Sequence, residues 1–296
     1  MISPRRAVDS TAVATHYDEL DEFYRDVWGE HVHHGVWLRG NETREEAVLN
    51  LVEIVAREAE GRAPARPVAQ RGTNMDVQAR VPRTICDIGC GYGATARELA
   101  ARGAKVIGIT ISPAQCAFAQ QRKTPGTDFV CGDWLTNNLP SAAFDAAIAI
   151  ESSEHMPDFR GFFAQAERVL RAGGRLVICA WLSADAPSPA VARWLLEPIC
   201  REGRMPNLAT APEYRSFGEA AGFSLERFED LSRYAAPTWP AIVRRLLGKL
   251  LTRPRYLRFL FNRHARNRIF ALTILRIWLA YRTGAMRYGI FTFVKR

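Results

Sequence analysis

Helical periodicity governs the first sixty residues, and a rhythm of short apolar runs takes over from residue 84. Over residues 11–28 the apolar positions Tyr17, Leu20, Phe23, Tyr24 and Val27 fall on one stripe, which predicts one or two amphipathic helices. The turn-rich segment His31-Val32-His33-His34-Gly35-Val36-Trp37 follows. Asn41 or Thr43 then caps a helix expected over residues 44–59, with Ala47, Leu51, Ile54 and Val55 inward. Residues 61–83 hold three prolines, two glycines and no strong period, and read as an exposed loop longer than most connections inside a compact domain. Beyond it, β-type runs at 84–88, 105–109, 128–131, 144–150 and 175–181 alternate with helical stretches at 94–102, 113–122 and 159–170. Gly173-Gly174 reads as the stop of the last helix. This alternation predicts an α/β fold with a parallel sheet covered by helices. Helices at 190–200, 212–221, 240–251 and 256–281 and strands at 223–231 and 288–294 complete the pattern, without internal repeat.

Length and composition narrow the class. A chain of 296 residues buries one large α/β core, or that core plus a small cap. Residues 1–14 carry arginines but no apolar core segment, so no signal peptide is expected. The most apolar run, 269–281, is interrupted by Arg276 and too short to span a bilayer. None of the six cysteines makes a C-x-x-C pair or a zinc spacing, so reduced, mostly buried thiols and a cytoplasmic location are expected. The net charge of +9 is unevenly spread: residues 241–296 hold fourteen Lys and Arg and no Asp or Glu. Such polarity suits an acidic lipid surface, nucleic acid or an anionic substrate. The plainer alternative is a solvated basic face balanced by the acidic remainder of the chain.

The chemistry is concentrated in Thr-Ile-Cys-Asp-Ile-Gly-Cys-Gly-Tyr-Gly-Ala-Thr-Ala, residues 84–96, a strand, a glycine turn and a helix start. Gly89, Cys90, Gly91, Tyr92 and Gly93 would present bare backbone to a nucleotide-like cofactor. The spacing Gly89-x-Gly91-x-x-Ala94 also satisfies the dinucleotide template. Asp87, however, would oppose a pyrophosphate and suits the ammonium of S-adenosylmethionine. The acid expected at the end of the second strand for a dinucleotide ribose is replaced by Gly-Ile-Thr-Ile-Ser. Ligands of open parallel sheets sit beyond the carboxyl ends of the strands. That rule selects Thr110, Ser112 and Gln115 as neutral partners and Gly132-Asp133-Trp134 as an adenine site, with Asp133 accepting from the amino group and Trp134 covering the ring. It also selects residues 151–155.

The glycine loop, Gly-Ile-Thr-Ile-Ser-Pro-Ala-Gln at 108–115 and Ile-Glu-Ser-Ser-Glu-His-Met-Pro-Asp at 150–158 resemble class I S-adenosylmethionine-dependent methyltransferases. More narrowly the chain resembles the γ-tocopherol methyltransferase group and its relatives that methylate plant alkaloids. The likeness extends to Tyr17-Asp18, to Trp28-Gly29-Glu30-His31-Val32-His33-His34-Gly35, to Ala236-Pro237-Thr238-Trp239-Pro240 and to residues 287–292. It implies a Rossmann-like, mainly parallel seven-stranded sheet with an antiparallel last strand. A helical cap at 1–60, the loop at 61–83, a cofactor-binding core at 84–183 and substrate-side helices and last strands at 184–296 would follow. The long 61–83 insertion and the arginine-rich 244–268 stretch depart from the group and bear on the acceptor, not the cofactor.

The implied reaction moves a methyl group to a small apolar acceptor, first a phenolic ring carbon of a tocopherol-like or other prenylated compound. An alkaloid amine nitrogen and a prenyl alkene carbon are the alternatives. His155 is the first candidate base, with Glu151 and Glu154 as alternatives or as stabilisers of a carbocation. If the segment turned helical, residues 151, 154 and 155 would share a face. Tyr17, His34 and Trp37 are expected to cap the cofactor pocket. His31, His33 and His34 make at most half a zinc site, so no metal is expected. Tyr234, Trp239, Phe261, Phe270, Trp278 and Tyr281 would line an acceptor chamber if they face the sheet, and basic helices there would rest on anionic membrane. A nucleic-acid enzyme is the rival class. Glu-Ser-Ser-Glu-His, in place of the Asn/Asp-Pro-Pro-aromatic of base-modifying amino-methyltransferases, and the lack of a recognition module argue against it.

Overall fold

The computed structural model describes residues 1–4, 8–61, 84–261 and 270–296. The expected loop at 61–83 thus lies almost wholly outside the described residues. Two helices precede the sheet, α1 (Ser10–Val27) and α2 (Arg44–Glu60). Asp9 caps α1 by accepting from the Ala12 amide, and Thr43, not Asn41, caps α2 in a reciprocal pair with Glu46. The α2 face of Ala47, Leu51, Ile54 and Val55 is buried against the sheet, as its period required.

The strands are β1 (Thr84–Ile88), β2 (Lys105–Thr110), β3 (Thr127–Cys131), β4 (Phe144–Ile150), β5 (Leu170–Ser183), β6 (Phe223–Asp230) and β7 (Met286–Lys295). They form one sheet in the order β3-β2-β1-β4-β5-β7-β6. The first five pair in parallel, and β7 runs antiparallel between β5 and β6. Central strands read as unbroken apolar runs because helices cover both faces. Helices α3 (Ala94–Ala101), α4 (Pro113–Gln121) and α5 (Phe159–Val169) connect the parallel strands. The order reverses between β1 and β4, and this switch point opens a crevice at the carboxyl ends of the strands.

One sequence expectation changes. The Gly173-Gly174 pair is not the stop of α5. That helix ends at Val169, and β5 begins at Leu170; pairing to β4 jumps from Phe144–Leu170 to Ala146–Arg175. The glycines sit in the resulting bulge, which accommodates extra residues within a strand. Of the helix expected over 256–281 the structure describes α11 (Pro254–Phe261) and α12 (Phe270–Arg282), and residues 262–269 between them lie outside the described residues. Between β5 and β7 lie α6 (Pro189–Val191), a π-helical turn at Ala192–Leu196, α7 (Glu197–Glu202), α8 (Ala211–Ala220), α9 (Ser232–Ala235) and α10 (Thr238–Thr252). Helices α1, α7, α10 and α12 share an apolar cluster that includes Leu20, Tyr24, Ile199, Trp239, Ile242 and Ile277. This cluster is the cap over the crevice. All six cysteines are unpaired, and Cys131 is exposed where burial was expected.

Candidate active site

The glycine turn after β1 has a geometry only glycine supplies easily. Gly89 and Gly91 take φ of 76° and 54°, in the left-handed region. A Cβ on Gly89 would stand 2.3 Å from the Ser152 Cβ, whereas one on Gly91 would meet nothing nearer than the Gln115 Nε2 at 4.0 Å. Gly89 therefore lets the β1 and β4 loops touch, and Gly91 leaves bare backbone toward open space.

That space is a cleft open to solvent at the carboxyl ends of the strands. Tyr17 of α1, Thr110, Gln115, Gly132, Asp133, Glu151 and His155 are among its lining. A second pocket of about 360 Å³ adjoins it and shares Val32, Gly89, Gly91 and Ile150 with it. Asp87, Cys90, Tyr92 and the His31 to His33 backbone turn line this smaller part. Asp87 is 3 % exposed, burial pushes its carboxyl up to about 7, and its Oδ2 has no hydrogen-bond partner. An unpartnered buried carboxylate is costly, and an ammonium placed there would relieve it. The residues fit S-adenosylmethionine: its amino-acid end would meet Asp87 and the glycine backbone, and its adenosine would meet Thr110, Gln115 and Asp133. The Thr110 hydroxyl donates to the Gln115 Oε1 at 3.0 Å, so this end is neutral and polar.

A proton should leave when the cofactor binds. The free carboxyl titrates near 7 and the bound one must be ionised, so affinity falls about tenfold per pH unit below that point. Calorimetry with S-adenosylhomocysteine in buffers of different ionisation enthalpy measures this directly. Asp87→Asn should bind without the slope; an unchanged slope would assign the proton elsewhere.

Several expected contacts are redirected. Ser112 is fully buried and caps α4 through the Gln115 amide, while its hydroxyl donates to Asp18 at 2.5 Å and ties α4 to α1. Trp134 contributes to the cleft wall, but its indole donates to the Phe162 carbonyl at 3.2 Å and its ring is packed in the core. It is therefore not free to lie over an adenine. Asp133 caps the short turn that follows it by accepting from Leu135. The Tyr92 hydroxyl points to Asp21 of α1 at 2.8 Å, and Gly93 starts α3.

The loop after β4, where the acceptor is expected, is a 3-10 turn at Ser153–His155, not an α-helix, and Glu151 takes φ of 53°. Residues 151, 154 and 155 consequently diverge. The Glu151 carboxylate accepts from the His34 amide at 2.6 Å, the His34 Nδ1 at 2.9 Å, the Trp181 indole at 2.7 Å and the Tyr288 hydroxyl at 2.8 Å. Burial would raise its pKa, but His34 outweighs this and holds it at about 2. A carboxylate so saturated with donors is a poor base, which corrects one candidate role. Glu154 is 1 % exposed and accepts from the Trp181 amide and the Ser153 hydroxyl. Burial and then the neighbouring Glu151 charge push it up to about 8, so it is protonated at neutral pH and supports the loop from within. His34 lies beneath Glu151, fully buried among Trp181, Trp239, Tyr281 and Tyr288, and does not face the cofactor cleft. Trp37 is likewise turned away, donating to the Glu42 carbonyl.

His155 stays at the cleft. Its Nδ1 is 3.2 Å from the Arg204 carbonyl, which can only accept, so Nδ1 carries the hydrogen and Nε2 the lone pair. The Tyr17 hydroxyl stands 3.0 Å from that Nε2. Burial lowers the imidazole pKa against the opposing effects of Arg204 and Glu151, so the ring is neutral near pH 7. Of the expected chamber, Trp239 and Tyr281 flank His34, Tyr234 is buried, and Trp278 is 39 % exposed at the surface. The side chains of Phe261 and Phe270 lie outside the described residues. Among the described residues no group of three or more His, Cys, Asp or Glu side chains is arranged to hold a metal.

Glu151→Gln should lower stability by about 3 kcal/mol or more, because an amide nitrogen would face donors in a buried site. The contribution of the native carboxylate is complete above pH 4.5 and is lost as pH falls toward 2, since its folded pKa is depressed. Denaturant unfolding at neutral pH checks this, and an unchanged midpoint would mean the four contacts carry no net stabilisation.

A doubly wound sheet, a glycine turn over an unpaired acid and the loop after β4 across the switch point define a nucleoside-cofactor enzyme. The methyltransferase-domain family model matches residues 86–178. The chain is 34% identical over 239 residues to the 27-O-demethylrifamycin SV methyltransferase of Amycolatopsis mediterranei, covering 78% of this chain and 80% of that protein. It is 28% identical over 291 residues to the chloroplastic tocopherol O-methyltransferase of Arabidopsis thaliana, covering 95% and 80%. The fold matches a cyclopropane synthase of Mycobacterium tuberculosis with a TM-score of 0.77 at 21% identity, covering 98% and 100%. This chain belongs to the class I S-adenosylmethionine-dependent methyltransferases, in the tocopherol methyltransferase-like group. It is a small-molecule methyltransferase.

Proposed function

We propose that this methyltransferase acts on a ring carbon of a prenylated phenol, a tocopherol-like acceptor. The Tyr17–His155 pair on the cleft wall carries this reading. S-adenosylmethionine, when bound, supplies an electrophilic methyl group. His155 offers Nε2 as a neutral base, so a phenolic proton passes to it directly or through the Tyr17 hydroxyl, and the resulting phenolate is nucleophilic at its ring carbons. Once such a carbon carries the methyl group, its own C–H proton leaves to solvent and the oxygen takes back the proton held by His155. The Arg204 carbonyl fixes the tautomer and would stabilise the imidazolium. The cap formed by α1 and α10 limits water and aligns the acceptor. Relatives matched over nearly the whole chain are by name a tocopherol O-methyltransferase and a 2-methyl-6-phytyl-1,4-hydroquinone methyltransferase, which supports the prenylated phenol as acceptor class.

One observation favours a second reading. Glu151 is ionised, lines the cleft and is flanked by aromatic rings, as a stabiliser of positive charge during alkene methylation would be. Matched acceptors separate the two: a prenylated phenol, its methyl ether, a prenyl alkene without the ring and an amine. The phenol should react and its ether should be slower by roughly a hundredfold. Equal rates for phenol, ether and alkene would overturn the phenol reading in favour of alkene chemistry.

A further inference from the structure

We propose that the outward faces of α10 and α12 form a docking surface for an anionic lipid bilayer. Residues 241–296 hold fourteen cations and no acid. The structure shows that many of them are spent internally. Arg245 meets Glu45, Lys249 meets Asp26, Arg255 meets Glu22 and Asp26, and Arg276 meets Glu202. The acidic edge of α1 thus neutralises one side of the basic helices. What remains outside is a different surface.

On α10, Arg244, Leu247 and Leu251 follow one another at helical spacing on the exposed side, with Leu247 55 % and Leu251 88 % exposed. On α12, which packs against α10, the exposed side is Leu275, Trp278, Leu279 and Arg282. Trp194, 70 % exposed, stands on the π-helical turn that also packs on α12. Large apolar side chains in such number on neighbouring helices are unusual for a surface that meets only water. The cations on the same faces, Arg244 of α10 and Arg282 of α12, are exposed and form no salt bridge among the described residues, whereas Arg253 at the end of α10 lies in the field of Asp26. The Arg282 guanidinium lies 5.2 Å from the Trp278 ring and that of Arg193 4.9 Å from the Trp194 ring.

Leucine and tryptophan with unpaired arginine at their rim match an interface that is apolar below and negatively charged at its surface. A bilayer containing anionic lipid has both properties. No described helix is long and apolar enough to cross a membrane, so the contact is one of lying on the surface. The same two helices pack into the cap that contains α1, so docking would set the roof of the cleft against the lipid. Docking of this kind does not depend on which acceptor is methylated.

Vesicle sedimentation with the full chain tests it, using phosphatidylcholine alone and phosphatidylcholine mixed with phosphatidylglycerol. The chain should sediment with the mixed vesicles and stay in solution with neutral ones, and added salt should release it. Arg244→Gln and Arg282→Gln should each weaken binding about fivefold, Arg→Lys at the same positions should preserve it, and Leu251→Glu should remove most of it. These positions are exposed, so thermal unfolding of the variants should match the parent. Binding that ignores lipid charge, or that survives the glutamine variants, would overturn the proposal. Self-association without lipid that Leu251→Glu abolishes would overturn it too, and would make this face an interface between copies.

Discussion

Gly89→Ala should abolish cofactor binding and lower stability by roughly 2–5 kcal/mol. Two costs add. Alanine in the left-handed region is strained by about 1–2 kcal/mol. Its Cβ would also stand 2.3 Å from the Ser152 Cβ and 2.9 Å from its hydroxyl. Ser152 cannot retreat freely, because its hydroxyl donates to the Ile88 carbonyl at 2.5 Å. Its neighbour Glu151 is pinned by four donors at a positive φ of 53°. The added methyl must therefore displace the glycine turn, the loop after β4 or both. Gly91→Ala is the control. It carries comparable backbone strain but has free space, so stability should fall less while the new methyl intrudes on the cofactor. Denaturant unfolding and calorimetric titration of both variants check this, and a stable, binding-competent Gly89→Ala would show that the two loops are not in contact.

His155→Ala should slow turnover of a phenolic acceptor by roughly 10²-fold or more, with cofactor affinity nearly unchanged. The tautomer set by Arg204 leaves only Nε2 as a proton acceptor, and burial keeps it neutral. Because the imidazole pKa is lowered, activity at saturating cofactor, where the Asp87 titration no longer limits binding, should stay level through neutrality and fall only below about 6.5, the ordinary histidine value. That acid limb should disappear in His155→Ala. Tyr17→Phe should give a smaller loss, since it removes a relay and leaves the base. Unchanged turnover in His155→Ala would reject the base assignment outright.

The parts of this enzyme set by local sequence are legible in the order of its residues alone. The alternation of apolar runs and amphipathic stretches defines the sheet, and Asp87 with its glycines lies at the crevice whose residues fit the cofactor. What escapes such a reading depends on pairs far apart in the chain. Glu151 looks like a base among neighbouring acids, yet His34, Trp181 and Tyr288 saturate it from three other elements. Asp18, which braces Ser112, enters the sequence reading only through the resemblance, with no hint of its partner 94 residues away, and the Arg204 carbonyl, which orients His155, acts through backbone alone and has no sequence signal. His34 and Trp134 have the right chemistry for a site, but burial commits them to its support. Gly173-Gly174 is misleading because a bulge and a helix stop use the same residues. The basic C-terminal helices keep their expected character, yet ion pairs with α1, α2 and α7 shift their free surface from purely cationic to apolar with a cationic rim.

On the proposed reading the cleft delivers a methyl group to a phenolic ring carbon. Incubation with S-adenosylmethionine labelled in its methyl group and a prenylated phenol, followed by mass-spectrometric location of the label, tests it most directly. The label should appear on the aromatic ring carbon, and His155→Ala should suppress it. Label on the phenolic oxygen, on the prenyl chain or nowhere in the acceptor would contradict the account.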